Sequence, residues 1–530
     1  MTTSTGIGAG RFARAPYILL AVLFGLLTVF VATQHAVHGR AFDEWMQDDY
    51  GQRVLAFYLS WGQDRSFLEM APELYMPQHG SAYELIVAAV QKLTGEQWRT
   101  RSVIGGVTGL LGILAIALCG REVAGPWGAF TAAVGLALYP RYTGSIFNNS
   151  KDVPFTVAMI VVLWLVLRTV RRWQSGERRF ELLQDAALGS AIGFAAAIRV
   201  NALAWFVVLA VLIAAFWIRR RPEGAEAVRA ELSRQFGSLL LIVSTCYLAM
   251  SLTWPYLLVR PVSGALDAVA SMSKYQWNHE ILYLGAMVPA PQVPWHYAPL
   301  WLIIGSPLPL ILLVVASAGA PWWRRGPSDG RYLVLAAYVA VPLILLIVLR
   351  PTLYNSLRQF LYIVPGLILI ATGVLLAVVR AVARSGRLAW AAAVVGLAIV
   401  GQAEAVVASL QIYPYEYAYF SPIVGGYANA RHSFEGEYWG SCSSQAATWL
   451  RQHHLDYPVA EPSFQDVLGW NTLIEKELPG ITPVGDGHPV FLISREPRDG
   501  YRTIHSVVLA GEQLCQVAVR SDVPSPPSAG

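Results

Sequence analysis

Charge is scarce in this sequence: only 14% of its 530 residues are Asp, Glu, Lys or Arg, where an ordinary soluble domain carries about a quarter. That shortage excludes a chain whose main solvent is water. Cysteine is scarce too. Of the four, Cys119 and Cys246 lie in apolar segments and Cys442 and Cys515 in a polar C-terminal region, and no CxxC or Cys/His spacing offers a zinc site. No internal repeat is visible, which argues against the commonest transporter architectures. The formal net charge of +5 sits in short loop clusters and gives no case for a nucleic-acid partner.

Long apolar runs are abundant, with 55% of residues hydrophobic. They are punctuated by Arg171-Arg172, Arg178-Arg179, Arg219-Arg220-Arg221 and Arg324-Arg325, the pattern of repeated membrane crossings with basic cytoplasmic loops. Reading the runs predicts spans near 17–33, 102–119, 127–140, 154–170, 184–198, 201–218, 237–254, 297–319, 332–349, 360–379 and 388–408. The first follows Arg11 and Arg14 and reads as an uncleaved helix rather than a secretory signal. The short run 81–93 contains Glu84 and Lys92 and reads as an interfacial helix. Leaving it out puts every basic cluster on the side of Arg11 and Arg14, whereas counting it exports most of them. The expectation is an α-helical, multi-pass inner-membrane protein of about eleven helices, N-terminus cytoplasmic and C-terminus extracytoplasmic.

The expected organisation is a membrane domain over 1–410, with a first outer loop at 34–101, and a small α/β extracytoplasmic domain over 411–520. In the latter, a helix-like stretch at 444–454 precedes strand-like runs at 489–494, 503–509 and 513–519. The Pro/Ser-rich end, 521–530, reads as a disordered tail.

On this topology the chemically interesting residues share the outer face. Phe42-Asp43-Glu44 and Asp48-Asp49-Tyr50-Gly51 place four carboxylates beyond the first helix, either as a solvated acidic helix start or as a functional cluster. Asn148-Asn149-Ser150-Lys151-Asp152-Val153-Pro154 joins two spans; Asp152 two residues before a proline suits a helix start, yet ionisable groups at membrane depth are costly and usually functional. Arg199 stands alone between two apolar spans. It either snorkels to headgroups or meets a fixed anion. Lys274 and His279 in the loop 255–296, and Arg358 at the start of the 360–379 span, complete the set. Carboxylates beside cations suit transfer from a polyprenyl-phosphate sugar. The leaving phosphate needs cations rather than a general acid, and the acceptor hydroxyl needs a carboxylate base.

At these residues the sequence resembles the GT-C superfamily of polyprenyl-phosphate-dependent glycosyltransferases, which includes protein O-mannosyltransferases and lipid A aminoarabinose transferases. The resemblance runs over roughly 15–440. It rests on the order of Asp43-Glu44, Tyr50-Gly51, Leu55-Ala56-Phe57-Tyr58, Asn149-Ser150-Lys151-Asp152-Val153-Pro154-Phe155, Val293-Pro294-Trp295-His296-Tyr297, Leu353-Tyr354-Asn355, Arg358-Gln359-Phe360-Leu361-Tyr362 and Tyr438-Trp439-Gly440. It implies an inverting transfer at the extracytoplasmic face, with Asp43 as base and Asp152 positioning acceptor or base. Arg199 resembles the basic residue that contacts the carrier phosphate, and Glu44, His79, Lys151, Lys274, His279 and Arg358 are the further substrate-binding candidates. The implied partners are a lipid-linked sugar donor, a glycan, lipid or protein acceptor, and membrane lipids. Gln78-His79-Gly80 departs from the His-Pro-Pro or Lys-Pro of the relatives, and no Arg directly follows Asp43-Glu44. Asp43, Glu44, Asp48 and Asp49 offer oxygen ligands to a divalent ion. Members that use lipid monophosphate sugars are nevertheless the better match, so neither a metal nor another cofactor is expected. Rival readings are a flippase of lipid-linked sugars, an O-antigen ligase or polymerase, and an inactive assembly partner.

Overall fold

The computed structural model describes the chain except for residues 1–5, 72–73, 176–180, 220–222, 274, 276, 320–329, 458, 460, 467–480, 485–487 and 527–530. Among the described residues eight helices are long and apolar enough to cross a membrane: Arg14–Gln34, Trp98–Ala124, Asp152–Arg172, Val200–Ile218, Ala225–Thr253, Gly330–Leu349, Arg358–Arg384 and Leu388–Ile412. Each approaches or exceeds the roughly 20 residues that a hydrocarbon core requires. The protein is an integral membrane protein of mostly helical build.

The other three expected runs fold as helices shorter than a span of that length. The 127–140 run becomes a 12-residue helix, Pro126–Ala137, and the 184–198 run a 16-residue helix, Glu181–Ala196. The 297–319 run is interrupted, giving Tyr297–Ile304 and Leu308–Gly319. Pro307 lies at the break, where its missing N–H and ring disfavour a continuous helix. The Tyr139 hydroxyl meets Ser306 Oγ there at 3.1 Å.

Close helix contacts rest on small residues. Gly189 and Gly193, four apart, lie against the Ala225–Thr253 helix so tightly that a Cβ on either would fall 2.3 Å or less from the carbonyls of Ile242 and Cys246. Such approach maximises van der Waals contact where lipid supplies no hydrophobic drive between helices.

The run at 81–93 forms the 13-residue helix Ala82–Thr94, with Glu84 buried. In the 255–296 loop an antiparallel hairpin pairs Glu280–Tyr283 with Ala286–Pro289. Its two turn residues, Leu284 and Gly285, both have positive φ, as the tightest hairpins demand. The C-terminal region carries a five-stranded sheet in the order Thr482–Pro483, Ser463–Asp466, Phe491–Ser494, Glu512–Arg520, Tyr501–Leu509. Its first three strands are parallel and the remaining pairs antiparallel. The helix Cys442–His453 packs on this sheet. In the tail, Val523 is buried and its carbonyl accepts from Arg502 Nη1 at 2.7 Å.

Two backbone links decide where the C-terminal region sits. Phe42 N donates to Trp439 O at 3.1 Å, and Arg40 N to Ser444 Oγ at 3.3 Å. They hold it to the end of the bundle where the first helix finishes.

Candidate active site

Asp43 immediately precedes the helix Glu44–Leu59, but its side chain makes no cap hydrogen bond. The carboxylate instead accepts from Arg358 Nη1 at 3.1 Å. Arg358 is almost fully buried, whereas Asp43 keeps 32% of its side chain exposed. The guanidinium lies over the Trp439 ring at 4.4 Å and the Tyr354 ring at 5.1 Å, so aromatic faces fix its plane.

The turn before Arg358 is strained. Asn355 and Ser356 have φ of 56° and 62°, a region that residues with a Cβ rarely occupy. Three side chains hold it. Ser356 N donates to Glu435 Oε2 and to the Tyr297 hydroxyl, each at 3.1 Å, and Arg141 Nη1 donates to Ser356 Oγ at 2.8 Å. Burial pushes the Glu435 carboxyl up to about 7, against these hydrogen bonds and the charge of Arg358.

The Asn149-to-Asp152 run builds the second carboxylate. Asn149 Oδ1 accepts from the backbone N–H groups of Lys151 and Asp152 at 3.2 and 2.7 Å, while its Nδ2 donates to Asp152 Oδ2 at 3.0 Å. Asn149 therefore supplies the side-chain turn that starts the helix. Asp152 Oδ1 accepts from Arg199 Nη2, and Asp152 is almost wholly buried. Arg199 Nε is buried without a hydrogen-bond partner among the described residues.

Lys151 lies within electrostatic reach of Asp43, Asp152 and Arg199. Burial, reinforced by Arg199, pulls its ammonium down to about 7 despite the carboxylates. The charge of Arg358 also reaches Asp152, so the two ion pairs belong to one cluster. His79 joins it: burial first, then Lys151 and Arg199, hold its imidazole well below the usual histidine range, which makes it neutral at pH 7. Its ring sits edge-on to Tyr275 at 5.8 Å. Gly80 allows the close approach, since a Cβ there would lie 2.2 Å from Ala197 O, just ahead of Arg199.

The structure thus brings together Asp43, Asp152, Lys151, Arg199, Arg358 and His79. Glu44 is directed elsewhere. Its carboxylate pairs with Arg101 at 3.2 Å, and the same arginine forks onto Glu84 at 2.8 and 3.1 Å and reaches Asp48 at 3.6 Å. Asp49 pairs with Arg53 at 3.0 Å. The four carboxylates that the sequence offers as a set are therefore divided among three arginines. Among the described residues no three His, Cys, Asp or Glu side chains gather as a metal-binding group. His279 is exposed and, among the described residues, meets the cluster through Trp277, whose ring lies 4.6 Å from it and stacks on Tyr354 at 4.5 Å. Lys274 lies outside the described residues.

Sequence reasoning missed Arg141 and Glu435 as supports of the Arg358 turn. Arg141 is buried among Trp301 and Phe420, 5.0 and 5.2 Å from their ring centres, and donates to Tyr419 O at 2.8 Å. It has no carboxylate partner among the described residues. A lone arginine between Pro140 and Tyr142 is the same signal that singled out Arg199.

No family model matches the sequence, and no curated protein does so either. Among solved structures the chain is similar to ArnT from Cupriavidus metallidurans bound to undecaprenyl phosphate, with TM-score 0.50 and 13% identity over 96% of this chain and 99% of that one. It is also similar to the oligosaccharyltransferase of Archaeoglobus fulgidus in the apo form, with TM-score 0.47 and 14% identity over 89% of this chain and 64% of that one. The likeness to the first is one of fold and runs almost end to end, so the chain shares the fold of that ArnT structure.

Proposed function

We propose that this protein is a glycosyltransferase that moves a sugar from a polyprenyl-phosphate donor to an acceptor hydroxyl at the extracytoplasmic face of the inner membrane. The observation that carries the reading is the single cluster of Asp43–Arg358, Asp152–Arg199 and Lys151 where several helices begin. Two carboxylates and two guanidiniums balance, so the cluster carries one positive charge while Lys151 is protonated. A polyprenyl-phosphate sugar, a phosphodiester, brings one negative charge and matches it.

In the proposed reaction Asp43, the more exposed carboxylate, takes the proton of the acceptor hydroxyl. The acceptor oxygen attacks the anomeric carbon from the face opposite the phosphate, and the configuration inverts. The bond between that carbon and the phosphate oxygen breaks, and the oxygen keeps the electron pair. Lys151, Arg199 and Arg358 stabilise the growing charge, which favours the transition state over the bound donor. Asp152 orients Arg199. The fold shared with ArnT, which its structure shows bound to undecaprenyl phosphate, supports a polyprenyl-phosphate ligand here.

The test is titration of the purified full chain with undecaprenyl phosphate and with undecaprenol, followed by measurement of polyprenyl-phosphate release from polyprenyl-phosphate sugars. Phosphate-dependent binding and release abolished by Asp43→Asn are expected. Equal binding of the alcohol and the phosphate would overturn the reading.

A further inference from the structure

A polar cavity of about 360 Å³ opens beside this cluster without sharing its reacting groups. Its floor is the end of the first span and the start of the Trp98–Ala124 helix, tied together where Ser102 Oγ donates to His35 O. Its roof is the Cys442–His453 helix, which contributes Ser444, Gln445, Thr448 and Arg451. Glu44 and Arg101 line the cavity, but Asp43 and Arg358 do not.

Charge in the cavity is one-sided. Glu44 is the only acid among its lining residues, against Arg40, Arg99, Arg101 and Arg451. Arg101 is already satisfied by Glu44, Glu84 and Asp48. Arg40 is stacked on the Trp98 ring at 4.6 Å. Arg99 and Arg451 are exposed and have no ion-pair partner among the described residues. Two opposed surfaces therefore present guanidiniums to one space, an arrangement that favours an anion between them.

The depth of the cavity identifies the source of that anion. Both floor helices pass from apolar to polar sequence here, and Trp98 marks the level at which interfacial aromatics sit. Only 11% of the most apolar stretch of the Arg14–Gln34 span is buried, so the span that leads into the cavity floor faces lipid over most of its surface. We propose that this cavity binds the phosphate of an anionic phospholipid headgroup from the adjoining leaflet, between Arg99 and Arg451, and so fastens the C-terminal helix to the membrane end of the bundle. The site is independent of the glycosyltransferase reading.

The experiment is native mass spectrometry of the full chain in detergent, titrated with phosphatidylglycerol, phosphatidylcholine or inorganic phosphate. The variants are Arg99→Gln/Arg451→Gln and Arg99→Lys/Arg451→Lys. One phosphatidylglycerol should bind in preference to phosphatidylcholine. The glutamine pair should weaken it at least about tenfold, in line with loss of charge-assisted phosphate contacts, while the lysine pair should retain most of it. Thermal unfolding of the detergent-solubilised variants shows whether the glutamine pair folds; if it does not, the lysine pair and the single variants carry the comparison. Unchanged phosphatidylglycerol binding in folded glutamine variants would overturn the site. Displacement of the lipid by inorganic phosphate at equal concentration would overturn the lipid as its source.

Discussion

Replacing Asp43 with asparagine removes one charge without altering shape, and its effects on rate and on stability should differ widely. At 3.1 Å from Arg358, with an effective dielectric constant of about 20, the bare Coulomb attraction is about 5 kcal/mol. Water screens it on the Asp43 side, where 32% of the side chain is exposed, and the asparagine oxygen can still accept from the buried Arg358, so the loss should cost about 1–2 kcal/mol. Arg358 keeps its stacking on Trp439 and Tyr354, so the apparent melting temperature should fall by no more than about 4 °C. Loss of a general base costs far more, about 10²- to 10⁴-fold in rate, equivalent to roughly 3–5 kcal/mol of activation free energy. Single-turnover release of polyprenyl phosphate at saturating donor measures the rate, and a thermal ramp in the same detergent measures stability. Turnover within about threefold of the unchanged protein would refute the base role. A collapse of both quantities together would show that Asp43 acts through the fold.

The remaining expectations follow the same geometry. Arg199→Ala should lower the maximal rate and weaken donor binding, with partial recovery in Arg199→Lys, which keeps the charge but loses the fork; unchanged donor-dependent kinetics in the alanine variant would refute a phosphate contact. Because Lys151 titrates at about 7 in the folded protein, below the unfolded lysine value, donor affinity should fall as pH rises through 7. Over the same range folded stability should rise toward pH 10, since the unfolded chain then binds the extra proton; Lys151→Met should flatten both profiles in binding and unfolding titrations. Cys442 and Cys515 are buried free thiols on the Cys442–His453 helix and the Glu512–Arg520 strand, which pack together. In an oxidising compartment they should form a bridge, detected as a mass lower by two hydrogens without reductant and, by loop length, stabilising by up to about 4 kcal/mol. Cysteines placed at Ser150 and Ser444 should label from outside and one at Ser385 only after permeabilisation; outside labelling at Ser385 would overturn the orientation.

Particular residues show how far local reading carries. The apolar runs located all eight long helices, because a membrane helix satisfies its own backbone hydrogen bonds within one segment. They did not distinguish the long helices from shorter ones, such as the 16-residue Glu181–Ala196, or foresee the break at Pro307. In the C-terminal region the 503–509 and 513–519 runs lie within the paired strands Tyr501–Leu509 and Glu512–Arg520, since alternation and a tight turn are local signals. The strand order, in which Ser463–Asp466 lies between Thr482–Pro483 and Phe491–Ser494, has no such local signature.

By itself the sequence determined that the chain carries long apolar segments suited to a membrane, and it singled out Asp43, Asp152, Arg199 and Arg358 as charged residues at the ends of such segments. Each of these follows from composition within a few tens of residues. Only the tertiary structure decided the partners. Asp43 and Glu44 are neighbours of like chemistry, yet one meets Arg358, 315 positions away, and the other Arg101, 57 positions away. Arg141 likewise supports the Arg358 turn through Ser356, 215 positions on. Which arginine a carboxylate meets depends on where helices converge in space, and no periodicity along the chain encodes a contact across such distances.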